Sequence, residues 1–373
     1  MQQRASGLER EFLTLHEFVK AARMKLNPYI WDYLVGATET ETTMRRNRLA
    51  LDAIALRPRV LRDVSHIDST SAFLAKPIRL PVLLAPIGSL ESFDAGGGMT
   101  VAKAAAQFGV PMLLSSVTTF ELEAVRKAGA GGVMIFQLYV RGDDAWVDRY
   151  AERAIASGYD AFCITVDTAL YSRRERDIAK RFVKPWRTAV GGSDMTYQAA
   201  LSWKNIERFK RKHRIPLLLK GIATAEDARI AIEHGVEIIY VSNHGGRQLD
   251  HGRGAMDFLP EVLDVTAGKA RVVVDGGFCR GTDILKAIAM GADAVGIGRL
   301  FCYGLAAAGQ GGIVRLLEIL EQEAKAALGL IGVTQFGALD RSCLHFGAPI
   351  VADPHVHSAF PLLDLDDEGY GGR

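Results

Sequence analysis

Residues 271–299, RVVVDGGFCRGTDILKAIAMGADAVGIGR, indicate the fold most clearly, because two short apolar runs enclose a helix-like stretch. The runs at 271–275 and 294–298 are rich in valine and isoleucine, as expected of strands buried on both faces. Between them, residues 282–290 have helical spacing and are followed by Gly291, a residue type that commonly ends helices. The stretch therefore predicts a strand–helix–strand unit with parallel strands.

The same unit recurs along most of the chain. Short apolar runs lie at residues 81–86, 111–115, 133–140, 161–167, 216–220, 238–242, 271–275 and 294–298. Helix-like stretches closed by glycine lie at residues 99–108, 119–128, 145–157, 224–234 and 282–290. Eight strands that alternate with helices predict an α/β protein with a (β/α)8 TIM-barrel fold. A doubly wound open sheet is the alternative, but residues 85–90 (APIGSL) lack the G-x-G-x-x-G turn that it would need.

We interpret residues 1–373 as a single domain. Two of its segments fall outside the strand–helix repeat. Residues 1–75 are predicted to be a mainly helical extension that caps the bottom or the flank of the barrel. Residues 169–202 form a connection far longer than usual and carry seven Arg and Lys residues. We interpret this second segment as a lid that recruits an anion, and a solvated basic excursion is the alternative.

Composition excludes several classes of protein. The 45 basic and 43 acidic residues give a net charge of +2, so neither nucleic acid nor a membrane is expected as a partner. The cysteines Cys163, Cys279, Cys302 and Cys343 are far apart, and the first 25 residues lack an apolar signal core. The sequence thus predicts a cytoplasmic protein without a disulfide framework or a metal site.

Polar residues and glycines stand at the carboxyl ends of the predicted strands, where such barrels carry their active sites. They are Gln137, Tyr139, Thr165, Asp167, Lys220, Ser242, His244, Arg247, Asp275, Gly276, Gly277, Gly298 and Arg299. Polar groups in such positions are costly to bury unless a ligand or another polar group satisfies them. So many at one end of the barrel predict an active site there.

The residue types suggest roles within that site. His244 is the natural proton acceptor, Asp167 could orient its ring, and the guanidinium of Arg247 matches the shape of a carboxylate. The glycines at 276–277 and 298 leave backbone amides open to a phosphate, and Arg299 supplies positive charge. The pattern predicts a carboxylate substrate and a phosphorylated cofactor or substrate.

At residues 242–248, SNHGGRQ, the sequence resembles the FMN-dependent 2-hydroxy-acid oxidase and dehydrogenase family. The similarity extends from Arg57 to Leu344 and implies a barrel that binds FMN and oxidises a 2-hydroxy acid to its 2-keto acid. By resemblance, His244 is the base and Asp167 its partner, Arg247 and Arg174 bind the substrate carboxylate, and Tyr139 contacts the substrate near its hydroxyl. FMN would be held by Pro86, Ile87, Gly88, Ser115, Gln137, Thr165, Lys220, Ser242, Asp275, Gly276, Gly277, Gly298 and Arg299. Lys220 would stabilise the anionic reduced flavin.

Three positions depart from the family pattern. Trp31 is expected where the family places a tyrosine on the substrate carboxylate, although Trp31 as a core residue with Tyr29 or Tyr33 in that role is an alternative. Cys279 stands where an arginine is expected in the phosphate loop, so that Arg280 or Arg299 would have to substitute. Val117 replaces an aromatic residue and suggests a roomier pocket. Together these departures favour a substrate bulkier than glycolate.

Other functions remain open from the sequence. The substrate could be another carboxylate-bearing molecule, such as an amino acid or a precursor in specialised biosynthesis. A nucleotide-converting barrel similar to inosine-monophosphate dehydrogenase shares the loop at 275–277 but needs a nucleophilic cysteine in a glycine-rich loop. A flavin-binding protein without turnover is a third alternative. Oxygen, a quinone or another protein would accept the electrons, and a homo-oligomer, a tetramer or an octamer, is expected from the resemblance alone.

Overall fold

The structure is a computed structural model that describes residues 7–183, 195–348 and 359–360. Eight parallel strands close into a barrel, which confirms the (β/α)8 prediction. The strands are β1 (Val82–Leu84), β2 (Met112–Ser115), β3 (Met134–Leu138), β4 (Ala161–Thr165), β5 (Leu217–Ile222), β6 (Ile238–Val241), β7 (Arg271–Asp275) and β8 (Ala294–Ile297). Each pairs with its neighbours in chain order, and β8 pairs with β1 to close the barrel.

Helices surround the barrel and precede it. Those before β1 are α1 (Gly7–Glu11), α2 (Leu15–Lys25), α3 (Pro28–Val35) and α4 (Thr42–Asp52). The others are α5 (Gly97–Phe108), α6 (Leu122–Ala128), α7 (Asp144–Ala156), α8 (Glu175–Ala179), α9 (Thr196–Ala199), α10 (Trp203–Lys212), α11 (Ala225–Glu233), α12 (Ala255–Thr266), α13 (Gly281–Met290) and α14 (Arg299–Leu330). The strand and helix positions agree with the sequence pattern to within three residues at nearly every end.

The amino end of the barrel is closed by apolar side chains. A hairpin formed by strands Ser71–Phe73 and Lys76–Ile78 contributes Phe73 and Ile78, which pack with the residues inside the barrel. A second short pair, Ile54–Leu56 with Leu344–Phe346, joins the segment before the barrel to the segment after α14. The predicted extension is therefore not only helical.

The helices α3 and α4 lie at the carboxyl end of the barrel, so the expectation that residues 1–75 cap its bottom or flank is wrong for these two helices. In α4, Asn47 exchanges hydrogen bonds with Asn243, and Thr43 receives and donates bonds at residues 249–252, beyond β6. The hairpin at 71–78, which begins within the predicted extension, does close the bottom, and α1 and α2 pack against α14. Helices α3 and α4 thus belong to the wall of the functional end.

The segment at 169–202 also lies at this end. Arg176 in α8 forms an ion pair with Glu41 at 2.7 Å, and Lys180 pairs with Asp32 in α3. Lys184 and Arg187, two of its basic residues, lie outside the described residues. The described parts of the predicted lid are fastened to the N-terminal helices by these charges.

One helix, α14, is long and apolar enough to cross a membrane by length and composition. However, 61% of its most apolar stretch is buried inside the fold, against α2, α5 and α13. Packing against these three helices accounts for its hydrophobicity.

Candidate active site

A large cavity opens at the carboxyl ends of the strands, with about 1450 Å³ of space between its walls when the mouth is included. Its lining contains Pro86, Ile87, Gly88, Tyr139, Arg174, Lys220, His244, Arg247, Asp275, Gly276, Gly277, Gly298 and Arg299, all predicted from sequence. Directly behind this lining, Asp167, Thr165 and Ser242 contact it through hydrogen bonds or strand pairing. Ser115 accepts a bond from Val117 of the lining, and Gln137 connects to it through Thr165. The structure thus brings together all of the predicted site residues except Trp31.

His244 is held between a carboxylate and a phenol. Its Nδ1 lies 3.0 Å from Oδ1 of Asp167, and its Nε2 lies 3.3 Å from the hydroxyl of Tyr139. Burial lowers the pKa of His244 below its ordinary value, although Asp167 offsets part of this effect. Burial alone would raise the pKa of Asp167, but the charge and hydrogen bond of His244 lower it. The arrangement favours a neutral ring that donates Nδ1–H to an ionised Asp167 and leaves Nε2 as the acceptor.

The local backbone explains why His244 faces the cavity. The residue has a φ of +58°, a left-handed conformation that is uncommon for any residue other than glycine. Two glycines follow, and a side chain at Gly246 would collide with the backbone of Met44 in α4. On the neighbouring strand, Gly221 has a φ of +112°, and a Cβ there would lie 2.6 Å from that of Asp167. Glycine at 221 therefore leaves the space in which Asp167 meets the histidine.

Three arginines converge on the same cavity. The guanidinium of Arg247 donates hydrogen bonds to the backbone carbonyls of Tyr33 and Leu34, the second at 2.6 Å. Burial, together with the charges of Arg299 and Arg174, lowers the pKa of Arg247 to about 9. The buried Nε of Arg174 has no hydrogen-bond partner within the described part of the chain. An anion would relieve both the mutual repulsion and the unsatisfied donor.

A buried charged network forms the floor of the cavity. The ammonium of Lys220 lies 3.2 Å from Asp275 and donates to the Ser242 hydroxyl at 2.8 Å. The Ser242 hydroxyl donates to Asp275 at 2.5 Å. Burial would lower the pKa of Lys220, but Asp275 and Asp167 together raise it, so the ammonium stays charged beneath the cavity.

The glycine loop after β7 presents backbone rather than a cation. Arg280 pairs with Glu323 at 2.5 Å and does not line the cavity, whereas Arg299 does and donates to the carbonyls of Gly245 and Gly36. The buried Nε of Arg299 has no partner among the described residues. Of the two substitutes for the missing arginine at Cys279, the geometry therefore favours Arg299.

The expected placement of Trp31 is wrong. Trp31 is 9% exposed, packs against Tyr303 and Arg23, and does not line the cavity. Its neighbour Tyr33 does line it and donates a hydrogen bond to the carbonyl of Gly88 at 2.8 Å. Residues 31 and 33 lie on different faces of α3, since successive helical residues are about 100° apart, and only the second face meets the site.

Sequence reasoning also missed much of the cavity wall. Phe93, Arg141, Leu170, Tyr171, Met195 and Gln198 line it. Most of these residues lie in connections rather than at strand ends, where no periodic pattern marks them. The basic lid segment gave the one signal, because Leu170 and Tyr171 directly precede its first arginines, Arg173 and Arg174.

A barrel with a paired histidine and aspartate beside buried arginines defines an enzyme that acts on an anionic ligand. Residues 22–346 match the family model described as FMN-dependent dehydrogenase. The chain is 39% identical over 357 residues to L-lactate oxidase of Nostoc sp., covering 89% of this chain and 98% of that protein. It is 37% identical to glycolate oxidase 1 of Oryza sativa subsp. indica, covering 95% of this chain and 100% of that one.

Among solved structures, mandelate oxidase superposes with a TM-score of 0.84 at 35% identity, over 91% of this chain and 100% of that one. A mutant of mandelate oxidase has been solved with a C4a-OH-FMN adduct, and it matches with a TM-score of 0.82. The chain belongs to the FMN-dependent dehydrogenase family. It is an FMN-dependent 2-hydroxy-acid oxidase or dehydrogenase.

The residues present fit FMN on two observations. At one end of the cavity, Arg299 has an unsatisfied buried donor beside the bare backbone of residues 276, 277 and 298, which suits a phosphate. Behind the lining, Gln137 is fully buried and donates to Thr165 at 2.8 Å, while its carbonyl oxygen has no partner in the described chain. A ring system with polar edges would satisfy such an acceptor.

Proposed function

We propose that the enzyme oxidises a 2-hydroxy acid bulkier than glycolate to its 2-keto acid, with His244 as the general base. The observation that carries this proposal is the position of Nε2 of His244. It faces the cavity beside the Tyr139 hydroxyl, while Nδ1 is engaged by Asp167. A neutral imidazole whose Nδ1 is fixed by a carboxylate and whose Nε2 lies beside a hydroxyl in the cavity is suited to take a proton from a bound substrate.

Arg174 and Arg247 bind the substrate carboxylate in this proposal. Both line the cavity, and the lowered pKa of Arg247 reflects a buried cation that lacks a carboxylate partner among the described residues. A carboxylate between the two guanidiniums would form charge-assisted hydrogen bonds and restore favourable electrostatics. It would also place C2 of the substrate, one bond away, near the histidine.

Tyr139 orients the hydroxyl of the substrate. Burial raises the pKa of Tyr139 far above its ordinary value, so the phenol stays protonated and can donate a hydrogen bond. Its oxygen lies beside Nε2 of His244, and a substrate hydroxyl that contacts one group therefore contacts both. This pairing directs the proton toward the base.

FMN, when bound, supplies the acceptor for the two electrons that the oxidation releases. The phosphate would be held by Gly276, Gly277, Gly298 and Arg299. The ring would be held by residues 86–88, with Gln137 and Lys220 at its polar edge. The charge of Lys220 stabilises negative charge on that edge. The acceptor that restores oxidised FMN is oxygen or a quinone, and the names of the relatives, which are oxidases, favour oxygen.

The size of the substrate follows from the wall of the cavity. Val117 is a small side chain that faces Gly88, and Leu170, Tyr171 and Met195 add apolar and aromatic surface nearby. A substrate with an aromatic or branched side chain would gain contact there, roughly 0.5–1.5 kcal/mol for an aromatic pair beyond burial. The solved relatives described above are mandelate oxidases, whose named substrate is such an acid.

Anaerobic rapid mixing of the purified enzyme with glycolate, L-lactate or (S)-mandelate tests this proposal, with flavin absorption followed over time. We expect every productive substrate to bleach the flavin. The rate constant of reduction divided by the dissociation constant of the substrate should be highest for mandelate. Flavin that no 2-hydroxy acid bleaches would contradict the activity. Preference for glycolate would contradict only the size of the substrate. Val117→Trp is the matched variant, and it should lower the ratio for mandelate while sparing glycolate.

A further inference from the structure

Tyr240 lies inside the barrel, directly below the functional site. It belongs to β6, is 0% exposed and packs with the residues that fill the barrel interior. Side chains two apart along a strand share a face, so Tyr240 lies one layer below Ser242. Its register partner on β5 is Lys220. Tyr240 is thus the side chain directly beneath the charged network of Lys220, Ser242 and Asp275.

The ring of Tyr240 contacts the ammonium of the floor. Nζ of Lys220 lies 5.0 Å from the ring centroid, within the range of a cation–π interaction. The same ammonium is held from the sides by Asp275 at 3.2 Å and by Ser242 at 2.8 Å. These contacts, one from below and two from the sides, fix the position of the Lys220 ammonium along the barrel axis.

The hydroxyl of Tyr240 occupies a notch made by a glycine. A Cβ at Gly296 would overlap the hydroxyl oxygen and would lie 3.1 Å from Cβ of Asp275. Burial, with the nearby Asp275, raises the pKa of Tyr240 well above its ordinary value, so the phenol stays neutral. The hydroxyl interacts with the carboxylate of Asp275, and no other partner for it is found among the described residues.

We propose that Tyr240 is a positioning residue that sets the height of the Lys220 ammonium beneath FMN and thereby the stability of reduced flavin. The ring supports the ammonium, and the hydroxyl contacts the Asp275 carboxylate, which holds the ammonium from the side. This proposal rests on the proposed function, in which Lys220 faces the flavin ring. Tyr240 touches neither substrate nor cofactor and acts only through Lys220 and Asp275.

The test is the affinity of the FMN-loaded enzyme for sulfite, which adds reversibly to oxidised flavin, bleaches it and reports positive charge beside the ring. The variants are Tyr240→Leu and Tyr240→Phe, with Lys220→Met as the reference. Tyr159→Phe is the control, because Tyr159 is a buried tyrosine outside the cavity lining that donates to the carbonyl of Leu122 at 2.8 Å. The midpoint potential of bound FMN is measured alongside.

We expect Lys220→Met to raise the sulfite dissociation constant most and Tyr240→Leu to raise it at least about threefold, with a lower midpoint potential in both. Tyr240→Phe keeps the ring and should have a smaller effect, and Tyr159→Phe should have none. Unchanged affinity and potential in Tyr240→Leu, with a large change in Lys220→Met, would overturn the inference alone. An unchanged Lys220→Met would instead contradict the placement of Lys220 in the proposed function.

A second variant keeps the test independent of the folding of Tyr240→Leu. Gly296→Ala would place a methyl group in overlap with the hydroxyl oxygen of Tyr240, so the phenol must move and sulfite binding should weaken. Adding Tyr240→Phe removes this overlap and should restore most of the affinity of Tyr240→Phe alone, since only the close contacts with Cζ at 3.0 Å and with Cβ of Asp275 at 3.1 Å remain. Failure of this rescue would contradict the role assigned to the notch.

Discussion

Two neighbouring glycine loops of the barrel, 243–248 after β6 and 276–280 after β7, use similar residues in opposite ways. In the first loop, His244 and Arg247 face the cavity, and a carboxylate from another strand, Asp167, reaches the histidine side chain. In the second, Asp283 accepts bonds from the backbone amides of Cys279 and Arg280. The first loop thus presents side chains, and the second presents backbone.

The difference lies in where each cation finds its counter-charge. Arg280 forms an ion pair with Glu323 in α14 and turns away from the site. Arg247 donates to backbone carbonyls, lies over the ring of Tyr33 and forms no ion pair with the described residues, and burial together with neighbouring cations lowers its pKa. A ligand site is therefore indicated more reliably by an arginine that lines a cavity without a carboxylate partner than by an arginine that merely follows a glycine motif.

The largest contrast is expected from the two aspartates that organise the loops. Asp167→Asn should slow the reduction of bound FMN by at least about 100-fold, because the amide no longer holds the Nδ1–H tautomer of His244. Asp283→Asn should instead lower the free energy of unfolding by about 3 kcal/mol, because Arg48 loses a buried partner at 2.8 Å. Rapid-mixing reduction and thermal unfolding of both variants check this. Equal losses of rate in the two variants would remove the distinction between the loops.

The arginines of the two loops give the next contrast. Arg247→Lys keeps the charge but loses the planar fork, so it should raise the dissociation constant of a 2-hydroxy acid at least about tenfold. Arg280→Lys is the matched control and should change it less than about twofold. The dissociation constants come from the substrate dependence of anaerobic flavin reduction. An effect of Arg280→Lys as large as that of Arg247→Lys would contradict the assignment.

The pH dependence of reduction sharpens the role of the first loop. A base must be unprotonated, and burial lowers the pKa of His244, so the rate constant should fall only below the ordinary value of 6.5. Asp167 raises this pKa, and its replacement by asparagine should therefore move the acid limb to still lower pH. The limiting rate of reduction, measured from pH 5 to 9 in both proteins, provides the check. An acid limb above the ordinary value, or one that moves upward in the variant, would be inconsistent with this electrostatic account.

The smallest effect is expected at Trp31, which packs in the core. Trp31→Tyr should alter the ratio of mandelate to glycolate activity by less than about twofold, whereas Tyr33→Phe should weaken both substrates because the cavity loses a hydroxyl bound to Gly88. Steady-state kinetics on the two substrates distinguish the two residues. If only Trp31→Tyr changed the ratio of mandelate to glycolate activity, Trp31 would have to be a substrate-binding residue after all.

The fold was predictable because buried parallel strands and glycine-closed helices leave strong local patterns. The end of β5 was less so: the strand continues to Ile222 through an irregular register at Gly221, which the run at 216–220 did not indicate. The place of residues 1–75 also depended on long-range contacts, such as that of Asn47 with Asn243. No periodicity records which end of a barrel an extension covers.

The site was predictable wherever a residue follows a strand directly, as His244 and Lys220 do. It was not predictable for Trp31 and Tyr33. These residues are two apart in α3 and so lie on different faces of the helix, and which face meets the cavity depends on how the helix packs. The choice between Arg280 and Arg299 depended on Glu323, which lies more than 40 residues from Arg280. Charge pairing across such a distance leaves no local signal.

The most direct test of the central claim is the rate at which a 2-hydroxy acid reduces FMN in His244→Ala under anaerobic conditions. Substrate and enzyme are mixed rapidly, and flavin absorption is followed at saturating substrate, after the spectrum has shown that FMN is bound. We predict normal FMN content and reduction at least about 100-fold slower than in the unmodified enzyme. Reduction at the unmodified rate would contradict the claim that His244 is the base.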